Sequence, residues 1–169
     1  AAVAATPDGG FIVAWQSAGQ DGGNNGIYAQ RFNSGGEKVG NEFQVNTTTA
    51  GQQQYVAVAA GPTGQFAIAW QSAGQDGGGL GVYAQRYNAD GTTAGGEFRA
   101  NVTTSGDQSY PSVAYNDRGG FVIAWNGNGA GDSHGVFVRE YDANGTALSA
   151  NETLVNQTND NTQKWASVA

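Results

Sequence analysis

Few side chains in this sequence are equipped for chemistry, and those few recur. Asp21, Asp76 and Asp132 sit in segments rich in Gly, Gln and Asn. An oxygen-rich glycine loop can wrap a hard cation such as Ca2+, so these three are the candidate metal ligands. One carboxylate per loop is thin for that ion, and Asp beside Gly equally serves plain turn geometry. Glu42, Glu97 and Glu152 raise the paired carboxylates of glycosidases, which must lie within roughly 5–10 Å of each other. Equivalent positions in separate units stand far apart, so these glutamates read as charges protecting an outer strand edge. Asp132, Ser133 and His134 supply the residue types of a hydrolytic triad. Three neighbours in one surface loop cannot take the places of nucleophile, base and orienter. Tyr55, Tyr110 and Trp165 lie beside amide-rich stretches (QQQ, GDQS, NTQK) and, with Gln20 and Gln75, form the candidate ligand-binding set. One aromatic per unit, flanked by amides, suits shallow carbohydrate binding with avidity from repetition.

The positions that carry these residues are set by an internal period. Trp15, Trp70 and Trp125 close the segments FIVAW, FAIAW and FVIAW at intervals of 55 residues. Val3, Val58, Val113 and Val168 keep the same interval, as do Tyr55, Tyr110 and Trp165, and Glu42, Glu97 and Glu152. The repeats therefore run 1–55, 56–110 and 111–165, with 166–169 opening a further one. In the third copy the loop after Trp125 is one residue shorter and the turn after Tyr141 one longer, so the frame is restored by Glu152. Length changes confined to loops mark a tandem array of structural units.

Composition bounds the class. The 169 residues include 28 Gly, 3 Pro and only 12% charged residues, with a net charge of −7. Seven scattered Lys and Arg cannot displace the counterions of a nucleic acid. No apolar run approaches the roughly 20 residues of a spanning helix, and no signal-peptide pattern is present. There is no Cys and a single His, which removes disulfides and thiolate metal sites and leaves little imidazole chemistry.

Each unit reads as four strands. In the second copy they are YVAVAA (55–60), QFAIAW (65–70), GVYAQRY (81–87) and GEFRAN (96–101), separated by GPTG, SAGQDGGG and NADG turns. Phe11, Val13 and Trp15 alternate with Ile12 and Ala14, and both sets are apolar, so the second strand is covered on both faces. The first strand is small and apolar; the last is charged. That gradient predicts an all-β chain of β-propeller blades, each a four-stranded antiparallel sheet, with the first strand on the central channel. A stacked β-solenoid is the competing architecture. Three blades do not close a ring. The sequence opens and stops inside a first strand, which fits an excerpt of a longer array or half of a six-bladed homodimer.

The segments GGFIVAWQSAGQDGGNNGIYAQRF (9–32) and GQFAIAWQSAGQDGGGLGVYAQRY (64–87) resemble the tandem VAWQS-GQDG-GVYAQR-F repeats of very large secreted bacterial proteins, including RTX-type, adhesin-like surface proteins. The resemblance spans the whole chain. It implies a secreted or cell-surface module whose partners are proteins or glycans. The third copy departs from the pattern, with Asn126-Gly127 in place of Gln-Ser and Arg139-Glu140 in place of Gln-Arg. The expected function is non-catalytic scaffolding, adhesion or partner binding. A multivalent lectin-like propeller is the alternative, and a glycan-acting hydrolase fragment is disfavoured for want of an acid–base pair. TPDGGF (6–11) has the Thr, Asp and Gly spacing of an Asp-box turn, which is a structural device.

Overall fold

The computed structural model describes residues 1–158 and 161–169; residues 159–160, within the third repeat, lie outside the description. Among the described residues twelve strands form three separate sheets. Blade 1 holds β1 (Ala2–Ala5), β2 (Phe11–Ala18), β3 (Asn25–Phe32) and β4 (Lys38–Gln44). Blade 2 holds β5 (Gln53–Ala60), β6 (Phe66–Ala73), β7 (Leu80–Tyr87) and β8 (Phe98–Arg99). Blade 3 holds β9 (Gln108–Tyr115), β10 (Phe121–Gly129), β11 (Asp132–Tyr141) and β12 (Thr153–Leu154). Every pairing within a sheet is antiparallel and follows chain order. The sheets break within 45–52 and 100–107, so the repeat boundaries drawn at 55 and 110 fall inside β5 and β9. Among the described residues no helix is long and apolar enough to cross a membrane.

The alternation within the second strand explains how blades stack. Ile12, Ala14, Ile27, Ala29 and Val45 of blade 1 form one cluster with Phe66, Ile68, Trp70, Tyr83 and Tyr87 of blade 2. Ala67, Ala69, Val82, Ala84 and Ala100 of blade 2 form the next with Phe121, Ile123, Trp125, Phe137 and Tyr141 of blade 3. At each of the two interfaces the central strands thus present aliphatic residues forward and mainly aromatic residues backward, and Phe43 and Phe98 of the last strands add forward-facing rings. Burying a large aromatic against a preceding sheet removes it wholly from water, and Trp70 and Trp125 have no exposed surface. Trp15, which has no preceding sheet in this chain, is only half-buried. The first strands β1, β5 and β9 lie against one another, which places them innermost. This is the position their small side chains predict.

Polar groups tie the blades as well. Glu97 of blade 2 accepts the Thr47 peptide N–H at 2.7 Å and the Thr47 hydroxyl at 2.9 Å across the interface with blade 1. Glu152 of blade 3 accepts the peptide N–H of Val102 at 2.6 Å and of Thr103 at 3.2 Å. Glu97 and Glu152 are therefore inter-blade ties rather than charges on a free edge, while Glu42 is bonded by Gln20 of its own blade. The expectation of an edge guard fails because the last strand abuts the preceding blade, where a carboxylate satisfies unpaired peptide donors. Arg31 works in the opposite direction, donating to the carbonyls of Ala89, at 2.6 Å, and Asp90 in the turn of blade 2. Arg86 repeats the contact on Ala143 of blade 3 at 3.2 Å.

Candidate functional site

Tyr55 and Tyr110 lie in β5 and β9 at a shared irregularity. Gln54 pairs with Gln71 and Ala57 with Ala69, so β5 carries one extra residue there. β9 carries the same bulge between Ser109 and Ser112. A bulge re-aims the side chain it contains. Tyr55, Tyr110 and Trp165 adopt φ values of 53°, 54° and 63°, in the left-handed region that costs a non-glycine residue about 1 kcal/mol or more. The strain recurs at all three equivalents and brings the rings together. Tyr55 meets Tyr110 edge-on with centroids 4.6 Å apart, and Tyr110 meets Trp165 at the same separation. Tyr55 remains 48% and Trp165 70% exposed. A hydrogen bond with Tyr110 holds the Tyr55 phenol above its ordinary value.

Gln16 and Gln71, which residue type alone did not single out, fasten this column. Their side-chain carbonyls accept the Tyr55 and Tyr110 peptide N–H groups at 3.4 and 3.2 Å. Asn126, the shorter equivalent in blade 3, instead donates to the Gln163 carbonyl at 2.9 Å and accepts from Ala166 at 3.5 Å. Beside Tyr110 a hollow of about 570 Å3 opens between blades 2 and 3, lined among others by Asp107, Asn126, Asn128, His134 and Lys164. It combines one aromatic ring with amide, carboxylate and ammonium groups.

Gln20 and Gln75 do not join the aromatics. Their amides donate to Glu42 at 2.6 Å and Glu97 at 2.5 Å, on the outer side of each blade. Asp21, Asp76 and Asp132 are likewise dispersed, one per blade, and each serves a similar relay. Asp76 accepts the Gly78 N–H at 3.1 Å and the Asn101 amide at 3.2 Å. Asn101 in turn accepts the Val82 N–H at 2.8 Å and donates to Gln108 at 3.0 Å. Asp21, Asn46 and Gln53 repeat these contacts in blade 1. Asp132 and Asn156 repeat the first half in blade 3, at 2.8 Å. Close approach of the aspartate accounts for the glycine near the start of the third strand in blades 1 and 2: a Cβ on Gly26 would stand 2.5 Å from Asp21 Oδ2, and one on Gly81 2.8 Å from Asp76 Oδ2. Among the described residues no three of His, Cys, Asp and Glu are grouped to hold a metal ion. The relay was readable in principle, since Asn46, Asn101 and Asn156, and Gln53, Gln108 and Gln163, keep the 55-residue interval.

Ser133 and His134 belong to the opening of β11 rather than to a loop. The Ser133 hydroxyl is 2.9 Å from His134 Nδ1. Asp132 faces away from the ring: one oxygen takes the His134 peptide N–H at 2.9 Å and the other takes the Asn156 amide. Those two bonds hold the Asp132 carboxyl below the usual carboxylate range, with backbone donation the larger cause. Among the described residues no carboxylate bonds the imidazole, and Asp132, Ser133 and His134 do not form a triad with one another.

No family model matches the chain, and no curated protein does. Solved structures are similar to it at low identity. An endo-arabinase from Bacteroides thetaiotaomicron is similar at 14% identity and TM-score 0.50, over 85% of this chain and 59% of that one. A protein of unknown function from Dyadobacter fermentans is 10% identical at TM-score 0.43, over 90% and 67% of the two chains. A fucose lectin from Kordia zhangzhouensis, solved with methyl-fucoside, is 11% identical at TM-score 0.46, over 92% and 99%. The chain thus spans 59% of the arabinase's length. Its architecture is all-β, three four-stranded antiparallel blades of an incomplete propeller.

Proposed function

We propose that this chain is a non-catalytic binding module of a secreted or cell-surface repeat protein, and that its ligands are neutral glycans. The observation that carries this reading is the aromatic column. Three equivalent rings are held at left-handed φ, at a conformational cost; Tyr110 lines the amide-bearing hollow, and Tyr55 and Trp165, packed against it, keep exposed surface. Backbone strain that recurs at an open surface points to function, because packing alone has cheaper solutions. An aromatic face takes the apolar face of a pyranose ring, while Asn128, Asp107 and Lys164 of the hollow offer donors and acceptors to its hydroxyls. A hydrolytic role is disfavoured because Glu97 and Glu152 are engaged with peptide N–H groups and Asp132 with Asn156.

Titration against a glycan array, followed by calorimetry on the best binder, tests the proposal. Tyr110→Ala and Trp165→Ala should each weaken binding about tenfold, ~1.4 kcal/mol. Tyr110→Phe should keep most of the affinity. Absence of binding to every neutral glycan would remove the lectin reading and leave a rigid spacer, for which the repeated inter-blade ties are suited.

A further inference from the structure

We propose that Tyr55 and Tyr110 form an oxidative coupling site, at which a carbon–carbon bond between the two rings staples blade 2 to blade 3. The pair is set up by the fold. Each tyrosine sits on a first-strand bulge at left-handed φ, so neither side chain follows the ordinary alternation of its strand. The peptide N–H of each is fixed in turn, that of Tyr55 on Gln16 and that of Tyr110 on Gln71. The rings then meet with centroids 4.6 Å apart, at the short end of the roughly 4.5–7 Å spread of aromatic pairs. A hydrogen bond joins their phenol groups. The carbons that couple when tyrosine is oxidised, Cε of each ring, flank the phenol oxygen, so this bond brings the two reactive rims together. The rings are inclined at 72°. Two bonded rings are twisted as well, so coupling requires no rotation into one plane.

The chain offers few rivals to this pair. It has seven tyrosines and no cysteine. Tyr28, Tyr83, Tyr87 and Tyr141 are buried. Tyr115 packs on Phe121, and among the described residues no second pair of tyrosine rings is in contact. Tyr110 keeps exposed surface although the rings of both Tyr55 and Trp165 lie against it.

In the coupling each phenol gives up one electron and its O–H proton and becomes a phenoxyl radical. The two unpaired electrons pair in one Cε–Cε bond. The protons on those two carbons then pass through solvent to the oxygens, which restores both phenols. The net loss is two electrons and two protons, and a peroxide takes up both; hydrogen peroxide leaves as two water molecules. Holding the partners in contact turns a bimolecular encounter into a unimolecular one. The bond closes the chain between positions 55 and 110 and restricts the unfolded state as a disulfide does, in a chain without thiols. Glycan binding plays no part in this step.

Oxidation of the whole chain at micromolar concentration, with hydrogen peroxide and a haem peptide at a dose that couples free N-acetyltyrosine, tests this. The expected product is a monomer with dityrosine fluorescence, lighter by two hydrogens, whose digest joins the peptides carrying Tyr55 and Tyr110. Tyr55→Phe and Tyr110→Phe retain the rings and should each lower the yield of fluorescent monomer about tenfold or more. Tyr115→Phe and Trp165→Phe should leave that yield unchanged. The cross-linked monomer should melt several degrees above the untreated chain. Coupling confined to oligomers, a digest that joins other tyrosines, or a yield that survives both ring variants would overturn the proposal. So would the absence of dityrosine at a dose that couples free N-acetyltyrosine. A cross-linked monomer that melts no higher would overturn the staple.

Discussion

Asn101 lies 3.0 Å from Gln108, donating its amide to the glutamine carbonyl, and both side chains are buried. The bond joins the end of the last strand of blade 2 to the first strand of blade 3, while Asp76 and Val82 hold Asn101 from the other side. A fully satisfied buried network of this kind fixes one arrangement, and removing a member strands the rest.

Asn101→Ala should therefore destabilise the protein by about 3 kcal/mol, since it leaves the Val82 N–H and Gln108 without their partner. Asn101→Asp keeps the acceptor for Val82 but sets a carboxylate beside Asp76, and should also destabilise. Chemical denaturation, read as a change in midpoint at constant slope, measures both.

The three repeat-equivalent tryptophans should differ. Trp70 is completely buried, so Trp70→Ala should cost about 3–5 kcal/mol. Trp15→Ala at the half-buried position should cost roughly half as much. Equal losses in thermal melts of dilute protein would contradict the assignment of forward and backward faces.

Alkaline stability should fall with a definite sign. Burial raises the phenols of Tyr115 and Tyr141 from 10.0 to about 12. The unfolded chain loses these protons first, so their contribution is intact below pH 10 and disappears as pH rises through about 12. Tyr115→Phe should flatten the loss of melting temperature in that window.

Calcium provides a further test. Asp21, Asp76 and Asp132 already accept peptide N–H and Asn amide donors. If those bonds are the whole role of the carboxylates, melting in excess chelator and in millimolar Ca2+ should agree within about 1 °C. A large stabilisation by the ion would assign the loops to metal binding.

The tandem period, the four strands per unit and the placement of the small first strand inward were legible in the sequence. Trp, Val and Glu at fixed intervals, and apolar residues on both faces of the second strand, admit few architectures. The meaning of the polar residues was less accessible. Glu97 and Glu152 look like edge charges until the sheets are stacked, because only stacking brings a peptide donor 50 positions away to the carboxylate. The bond between Asp76 and Asn101, 25 positions downstream, is likewise visible only in the fold.

The residues equipped for chemistry divide along the same line. Their types and intervals were determined by the sequence, since periodicity is a property of the string. Whether Tyr55, Tyr110 and Trp165 face a ligand or one another depends on a bulge and a left-handed φ, which no residue type dictates. Tertiary structure brought the three rings into one column and sent Gln20, Gln75 and the aspartates to other tasks. The physical reason is that a hydrogen bond or ring contact is fixed by where the next blade packs, and blade packing is a property of the whole array.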